Sequence, residues 1–317
     1  MNPRTPTEQG LAGGLYAFSA YLLWGVLPLY FLLLAPVGAF EIVAWRILLS
    51  LVFCALLIAV TRSWRRLAAI LRQGRLVALT VLAGILIYVN WQTYLIGTLS
   101  GHVIETSLGY FINPIVTVLL GVLVLRERLR PTQWVAIGLA TAAVVVIVIG
   151  YGAMPWIALI LAFSFGFYGL VKKKIGPSVD AVSGLTLESL WLTPLALVQL
   201  VVVALTTGLG FASAGVGTTV ALALAGVVTA VPLLLFAAGA RRAPLTLLGI
   251  VQFVAPVLQF LIGWWVLDEP MTAGRWAGFA LVWAALILLS ADSIVASRRA
   301  RKGAGLQNAP SDVAELT

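Results

Sequence analysis

The chain has 317 residues, of which 62% are hydrophobic and only 10% are charged. This apolar fraction excludes an ordinary soluble fold, which must cover its surface with polar groups. The net charge of +9 comes from short basic clusters between apolar runs, a pattern typical of membrane-protein loops and not of nucleic-acid binding. We therefore expect a lipid bilayer as partner and no nucleic acid.

Ten stretches approach or exceed the length of about 20 apolar residues that a membrane-crossing helix needs. The chain is therefore predicted to be an all-α integral membrane protein with ten transmembrane helices. Residues 1–10 and 297–317 are predicted to be polar tails, the second of them disordered. The stretches cover residues 11–34, 40–61, 76–98, 102–125, 133–151, 155–171, 182–206, 217–237, 244–267 and 275–296.

The positions of lysine and arginine predict the orientation of the ten helices, because cytoplasmic loops are enriched in both. With the N-terminus in the cytoplasm, 18 of the 20 basic residues lie on the cytoplasmic side, Arg275 lies outside and Arg46 lies within a helix. Both termini are therefore predicted to be cytoplasmic. The 18 residues are Arg4, Arg62, Arg65, Arg66, Arg72, Arg75, Arg126, Arg128, Arg130, Lys172, Lys173, Lys174, Arg241, Arg242, Arg298, Arg299, Arg301 and Lys302.

The pattern of residues 110–134, an apolar stretch with an internal proline and glycine and a Leu-x-Glu end, recurs 142 positions later, at 252–276. Five helices per half is an odd number, so the second half must insert upside down. We therefore predict two inverted repeats, 11–151 and 152–296, the architecture of alternating-access carriers whose binding site lies between the halves. The matching pairs include Pro114 and Pro256, Gly121 and Gly263, Leu125 and Leu267, Glu127 and Glu269, and Trp134 and Trp276.

Three ionisable residues, Arg46, Glu105 and Glu188, fall inside predicted helices. Each costs about 2.5–3.5 kcal/mol on membrane-insertion scales, so each needs a physical reason. Arg46 and Glu188 have opposite charges and correspond at the repeat spacing. Two interpretations stay open: the three residues line a central cavity and contact substrate or protons, or they form buried ion pairs that fix helix packing.

Polar and aromatic side chains concentrate in the third, fourth and ninth stretches. Trp24 and Trp91 are expected to provide apolar or cation–π walls for a ligand. Pro114 and Pro256 each remove a helical hydrogen bond, so they are either hinges or static kinks. The residues expected to orient the ligand are Asn90, Tyr94, Tyr110, Asn113 and Gln252.

Enzymatic chemistry finds little support in the sequence. One histidine and one cysteine leave no Cys–His nucleophile pair, and no metal or phosphate-binding motif occurs. We therefore predict no catalytic residues, no metal and no cofactor. Two alternatives to a carrier stay open: a non-transporting membrane sensor or scaffold and, with less support, a membrane-embedded enzyme.

The segment NWQTYLIGTLSGHVIETSLGYFINPIVTVLLGVLVLRERLRPTQW, at residues 90–134, resembles the RarD branch of the EamA-type drug/metabolite transporters. So do WGVLPLYF at 24–31, EIVAWRILLS at 41–50, GLTLESLWLTPLALV at 184–198 and GARRAPLTLLGIVQFVAPVLQFLIG at 239–263. The resemblance implies a permease of the bacterial inner membrane that moves a small metabolite or drug-like amphiphile. Trp45 stands where the branch commonly has histidine, so this chain lacks that group as a proton carrier, and coupling to H+ stays open.

Overall fold

A computed structural model describes residues 6–126, 130–151, 153–240, 242–243 and 245–307. Within these ranges the chain forms helices and no strand. The helices are α1 Pro6–Leu32, α2 Ala39–Thr61, α3 Trp64–Leu71, α4 Gly74–Leu99, α5 Val103–Leu125, α6 Pro131–Tyr151, α7 Trp156–Ile175, α8 Ala181–Thr206, α9 Val216–Ala223, α10 Ala225–Ala240, α11 Leu245–Val251, α12 Val254–Leu261 and α13 Ala273–Gln307.

In the part of the chain that the structure describes, nine helical segments are long and apolar enough to cross a membrane, with α9 and α10 counted as one segment. They correspond to the first eight and the tenth predicted stretches, so the all-α membrane fold is confirmed. Large apolar side chains such as Val60, Leu205 and Ile287 are exposed on them, as a lipid-facing surface requires. Helix α13 continues into 297–307, and 308–317 lie outside the described residues.

The ninth predicted stretch, 244–267, is broken into α11, α12 and a π-helical turn at Ile262–Val266. A turn at Gln252 and Phe253 separates α11 from α12. Pro256 cannot donate to the carbonyl of Gln252, and its ring disfavours helical geometry just before it, which explains the position of the break. At the corresponding position, Pro114 lies inside α5, which continues to Leu125.

The connections lie at two ends of the helix bundle. Among the described residues, the basic end comprises 62–73, 126, 130, 176–180 and 242–243, and the opposite end comprises 33–38, 100–102, 153–155, 207–215 and 267–272. Which end faces the cytoplasm stays a prediction from the basic residues. At the basic end the sequence prediction missed a short helix, α3, whose Leu67 and Ile70 are buried with Ile58 and Leu187.

Helices α1, α2, α4, α5 and α6 form the first group, and α7, α8, α9–α10, α11–α12 and α13 form the second. Three helices of the first group pack on their own counterparts, as α2 on α8, α5 on α12 and α6 on α13. Other main contacts occur in pairs that become equivalent when each helix is replaced by its counterpart in the other group. The contact of α4 with α7 thus matches that of α1 with α10, and the contact of α5 with α7 matches that of α1 with α12. This pattern is the one that two five-helix groups related by a pseudo-twofold axis would produce.

Candidate functional site

Arg46 is the eighth residue of α2, about 10 Å along the helix from its start at the opposite end. The residue is only 5% exposed, so it is enclosed in this conformation. Its Nε donates a hydrogen bond to Thr229 Oγ1 of α10 at 2.8 Å. Its guanidinium carbon lies 4.1 Å from the ring centroid of Trp91 and 5.5 Å from that of Phe31. One cation therefore sits where both helix groups meet.

Arg46 has no carboxylate within 4.0 Å among the described residues. The ion pairs in that part of the chain join Arg130 to Asp292 and Lys172 to Glu188. Burying an unpaired charge costs several kcal/mol even after relaxation, of which a desolvated cation–π contact offsets about 2 kcal/mol. Because two ring faces and one hydroxyl are its partners, the guanidinium keeps a positive charge that the described chain does not neutralise.

A continuous series of aromatic rings, here called the aromatic column, runs from Arg46 towards the basic end. Its members are Phe31, Tyr94, Tyr110, Phe165 and Tyr168. Successive ring centroids are 6.0, 5.8, 6.1 and 5.8 Å apart, within the range of favourable edge-to-face and tilted contacts. The rings come from α1, α4 and α5 of the first group and from α7 of the second. The column therefore follows the boundary between the groups.

Asn90 holds three helices together beside the middle of the column. Its Nδ2 donates to the Leu161 carbonyl at 3.2 Å and to Ser164 Oγ at 3.1 Å, and its Oδ1 accepts from the Tyr110 hydroxyl at 3.1 Å. Asn90 thereby fixes the Tyr110 ring relative to α4 and α7. The structure thus brings together Arg46 and four of the predicted site residues: Asn90, Trp91, Tyr94 and Tyr110.

Glu188, the repeat counterpart of Arg46, lies beside the far end of the column and is 2% exposed. Its Oε1 accepts from Lys172 Nζ at 2.8 Å, and its Oε2 accepts from the Tyr168 hydroxyl at 3.1 Å. Gly184, one turn earlier in α8, leaves room for the ammonium, since a Cβ there would lie 2.9 Å from Nζ. Glu188 is therefore paired locally, and Arg46 and Glu188 do not pair with each other.

Three glutamates at the opposite end each accept hydrogen bonds from two backbone amides of the other helix group, and we call them the carboxylate clasps. Two of the clasps satisfy amides at helix N-termini, which lack partners within their own helix. The clasps are Glu41 with Gly210 and Phe211 (2.8 and 3.0 Å), Glu105 with Ile157 and Ala158 (2.9 and 3.4 Å), and Glu269 with Val103 and Ile104 (2.6 and 3.0 Å).

Sequence reasoning singles out Glu105 but gives no sign that its carboxylate binds the start of α7. It does not single out Glu41 or Glu269 as ionisable site residues; the only available signal for Glu269 is its place in the repeat. Its counterpart Glu127 lies outside the described residues. Burial raises the pKa of Glu269 above its ordinary value, although the two amide hydrogen bonds from α5 act to lower it.

The other predicted site residues lie on neighbouring parts of the bundle. Trp24 packs against Tyr21 and Phe236, with ring centroids 5.2 and 5.9 Å away, and its carbonyl accepts a hydrogen bond from Gln259 at 3.0 Å. Asn113 lies on α5, one residue before Pro114, and its Oδ1 is buried without a hydrogen-bond partner in the described chain. Gln252 is half-buried in the turn between α11 and α12.

The side chains packed around Arg46, together called the Arg46 chamber below, offer positive charge, aromatic faces and hydroxyl groups within one buried region. This is a set of groups that binds and orients a small organic molecule. Across the described ranges, no three histidine, cysteine, aspartate or glutamate residues are grouped so that they could hold a metal ion.

Comparison with known proteins identifies the family. The model of the EamA-like transporter family matches residues 11–149. A protein named Protein RarD from Streptomyces exfoliatus is 47% identical over 289 residues, which cover 91% of this chain and 91% of the relative. A protein named Uncharacterized transporter YojE from Bacillus subtilis (strain 168) is 42% identical, with 88% of this chain and 93% of the relative covered.

A solved crystal structure resembles the fold, with a TM-score of 0.56 and 19% sequence identity over 92% of this chain and 98% of the other. At that identity the likeness concerns the fold alone. The sequence relatives show the family: the chain belongs to the EamA-like transporters and to their RarD branch. It is therefore a multi-pass transporter of the bacterial inner membrane, and the predicted family is confirmed.

Proposed function

We propose that this RarD-type transporter is a secondary carrier that moves a small metabolite or drug-like amphiphile by alternating access. The substrate binds in the Arg46 chamber. The observation that carries the proposal is a buried guanidinium without a carboxylate partner, placed where the two helix groups meet. A charge kept in that position at a cost of several kcal/mol needs a compensating interaction, and a bound substrate supplies it.

Relative motion of the two groups would change this chamber directly. Arg46 and Tyr110 belong to the first group, whereas their partners Thr229 and Phe165 belong to the second. Rocking one group against the other therefore separates or restores these contacts. This supports a mechanism in which binding and access are coupled.

In the conformation described, the carboxylate clasps join the two groups at the opposite end. Opening that end requires the amides held by Glu41, Glu105 and Glu269 to separate from the carboxylates or to move with them. In the proposal, Glu105 thus acts through access and not through contact with substrate. The proposed hinges are the turn before Pro256 and the position of Pro114 within α5.

The remaining predicted residues have different proposed roles, according to their distance from Arg46. Asn90, Tyr94 and Tyr110 orient the substrate, Trp91 forms the wall that also carries Arg46, and Glu188 with Lys172 borders the basic-end side of the column. The residues proposed to line the route beyond the chamber are Trp24, Asn113 and Gln252.

Transport by purified protein in proteoliposomes tests the proposal. Compounds that raise the thermal stability of the protein are selected from a panel of anionic, cationic and neutral metabolites. Their uptake is then compared for wild type, Arg46→Gln and Arg66→Gln, an exposed arginine of α3 that serves as the control. We expect uptake by wild type and Arg66→Gln and not by Arg46→Gln. Equal uptake by all three, or none above protein-free liposomes, would contradict the proposal.

Alternating access is tested separately by spin-label distances in a Cys54→Ser background. One label pair, at Ser100 and Ser213, spans the groups at the opposite end, and another, at Arg72 and Lys174, spans them at the basic end. We expect a transported compound to lengthen one distance while it shortens the other. Distances that change together or stay fixed would contradict alternating access.

A further inference from the structure

We infer that the substrate is a small organic monoanion, a carboxylate joined to an apolar or aromatic body, whose carboxylate binds Arg46. This inference rests on the proposed function, because it names the substrate class of the same chamber. It follows from the geometry of the guanidinium, the charge balance of the chamber and the composition of the column.

The two Nη groups of the guanidinium have no hydrogen-bond partner among the described residues. Its Nε donates to Thr229, and its central carbon lies 4.1 Å from the ring centroid of Trp91 and 5.5 Å from that of Phe31. The two Nη groups are thus left at the end of the side chain, where their N–H bonds form a fork. A carboxylate matches that fork with two parallel hydrogen bonds, which a neutral amide or a cation cannot provide.

The charge balance favours a single negative charge. Lys172, the other cation of this region, is paired with Glu188 at 2.8 Å. Arg46 therefore contributes one uncompensated positive charge to the chamber and its column. A monoanion neutralises that charge, whereas a dianion would bring a second charge into an apolar region without a partner.

The aromatic column indicates the chemistry of the rest of the substrate, beyond its carboxylate. Beyond Arg46 the column continues with Tyr94, Tyr110 and Phe165, whose successive ring centroids lie 5.8 and 6.1 Å apart, so these rings contact one another. When the two helix groups separate, as proposed above, the ring edges and faces that become accessible would favour an aromatic or similarly apolar body. The Tyr110 hydroxyl donates to Asn90 and the Tyr168 hydroxyl to Glu188, so the Tyr94 hydroxyl, buried without a partner in the described chain, is the one unpaired polar group of the column.

An α-amino acid fits less well, although it also has a carboxylate. Its ammonium group lies one carbon from the carboxylate and would therefore sit near Arg46, where Phe31, Trp91 and Thr229 supply no negative charge. Glu188 lies beside Tyr168 at the other end of the column and is already bonded to Lys172. The ammonium would thus be desolvated without a counter-ion.

A matched ligand series tests the inference on the wild-type protein. Affinities of detergent-solubilised protein at pH 7 are measured by calorimetry for 3-phenylpropanoate, 3-phenylpropanamide, 3-phenylpropylamine and phenylalanine, which share one carbon skeleton. We expect the carboxylate to bind at least about fivefold more tightly than each of the other three. If any of the three binds within fivefold of the carboxylate, or if the carboxylate does not bind, the inference is overturned.

Variants assign the preference to Arg46. We expect Arg46→Gln to bind the carboxylate and the amide about equally, and the control Arg66→Gln to keep the wild-type ratio. A wild-type ratio in Arg46→Gln would overturn the inference. If that variant does not fold, the ligand series on wild type still decides. Binding in detergent requires no transport, so a failed carboxylate preference leaves the proposed function standing, and failed uptake leaves the binding result standing.

Discussion

Arg46 and Glu188 occupy the same position in the two helix groups and meet different surroundings. Each is the eighth residue of its helix, and each is almost completely buried. Glu188 has a local counter-ion in Lys172, whereas Arg46 has ring faces and one hydroxyl. The repeated backbone thus supplies two equivalent buried positions, and the side chains around them pair one charge with a counter-ion and leave the other without a carboxylate among the described residues.

The neighbours of the two residues explain the difference. At the repeat spacing of 142, Lys172 corresponds to Tyr30 and Gly184 to Ile42. In the second group a cation occupies the room that the glycine leaves beside Glu188. In the first group the corresponding side chain is Ile42, which is 0% exposed, and Tyr30 donates instead to the Ala221 carbonyl. Two substitutions therefore break the symmetry.

The largest expected effect comes from removing the unpaired charge. Arg46→Gln should lower the initial rate of 3-phenylpropanoate uptake into proteoliposomes by about 100-fold, because truncating one partner of a buried charge pair costs about 2–5 kcal/mol. Arg66→Gln is the control. A rate within about threefold of wild type would mean that Arg46 is equivalent to Glu188 in being structural.

Removing the paired charge should affect stability and not ligand preference. Glu188→Ala leaves the ammonium of Lys172 without its carboxylate, which should cost about 2 kcal/mol. This is less than the roughly 3–5 kcal/mol of a fully buried pair, because the Lys172 side chain is 32% exposed. Thermal unfolding in detergent measures the loss. The double variant Glu188→Leu/Lys172→Met should recover most of it, and a double variant less stable than Glu188→Ala would contradict the structural role.

Much of this arrangement can be predicted from the sequence. Hydropathy finds the membrane segments, and the repeat spacing pairs Arg46 with Glu188 without any coordinates. Asn90, Tyr94 and Tyr110 are singled out because polar and aromatic side chains concentrate in the third and fourth stretches, where Asn90 and Tyr94 share one helix face. These features depend on local composition and spacing, which the sequence contains directly.

The rest depends on contacts between distant segments. That Glu105 binds the amides of Ile157 and Ala158 follows from how α5 meets α7, and no spacing reports it. The sequence also does not predict the partner of Glu188, because Lys172 is one of three consecutive lysines that are assigned to a loop. The break at Gln252 is not predicted either. Pro114 and Pro256 occupy corresponding positions in the repeat, but only Pro256 follows a break in its helix.

A smaller effect is expected from the clasp that joins the groups at the opposite end. Glu269→Ala removes two charge-assisted hydrogen bonds, worth about 1.5–3 kcal/mol each at most. Hydrogen–deuterium exchange at the amides of Val103 and Ile104 should become about tenfold faster or more. Asp268→Asn, at its exposed neighbour, is the control, because asparagine tolerates the left-handed backbone (φ 50°) of this position. Identical exchange in both variants would show that the clasp does not hold the groups together.

The smallest effect is expected at the glycine that makes room for Lys172. Gly184→Ala places a methyl group 2.9 Å from Nζ and should displace this flexible side chain from Glu188. The cost should stay below about 1 kcal/mol, because the alanine also improves helix propensity. Gly169→Ala in α7, where a Cβ meets nothing within 4 Å, is the control. Equal thermal stability of the two variants would mean that the glycine does not support the pair.

The most direct measurement is a crystal structure of the protein with 3-(4-bromophenyl)propanoate, in which anomalous scattering locates the bromine. We predict the carboxylate at the two Nη groups of Arg46 and the bromine along the aromatic column, next to Tyr94 or Tyr110. Bromine density beside Lys172 and Glu188 or on the lipid-facing surface, with the guanidinium still bonded to Thr229 alone, would contradict a substrate site built on Arg46.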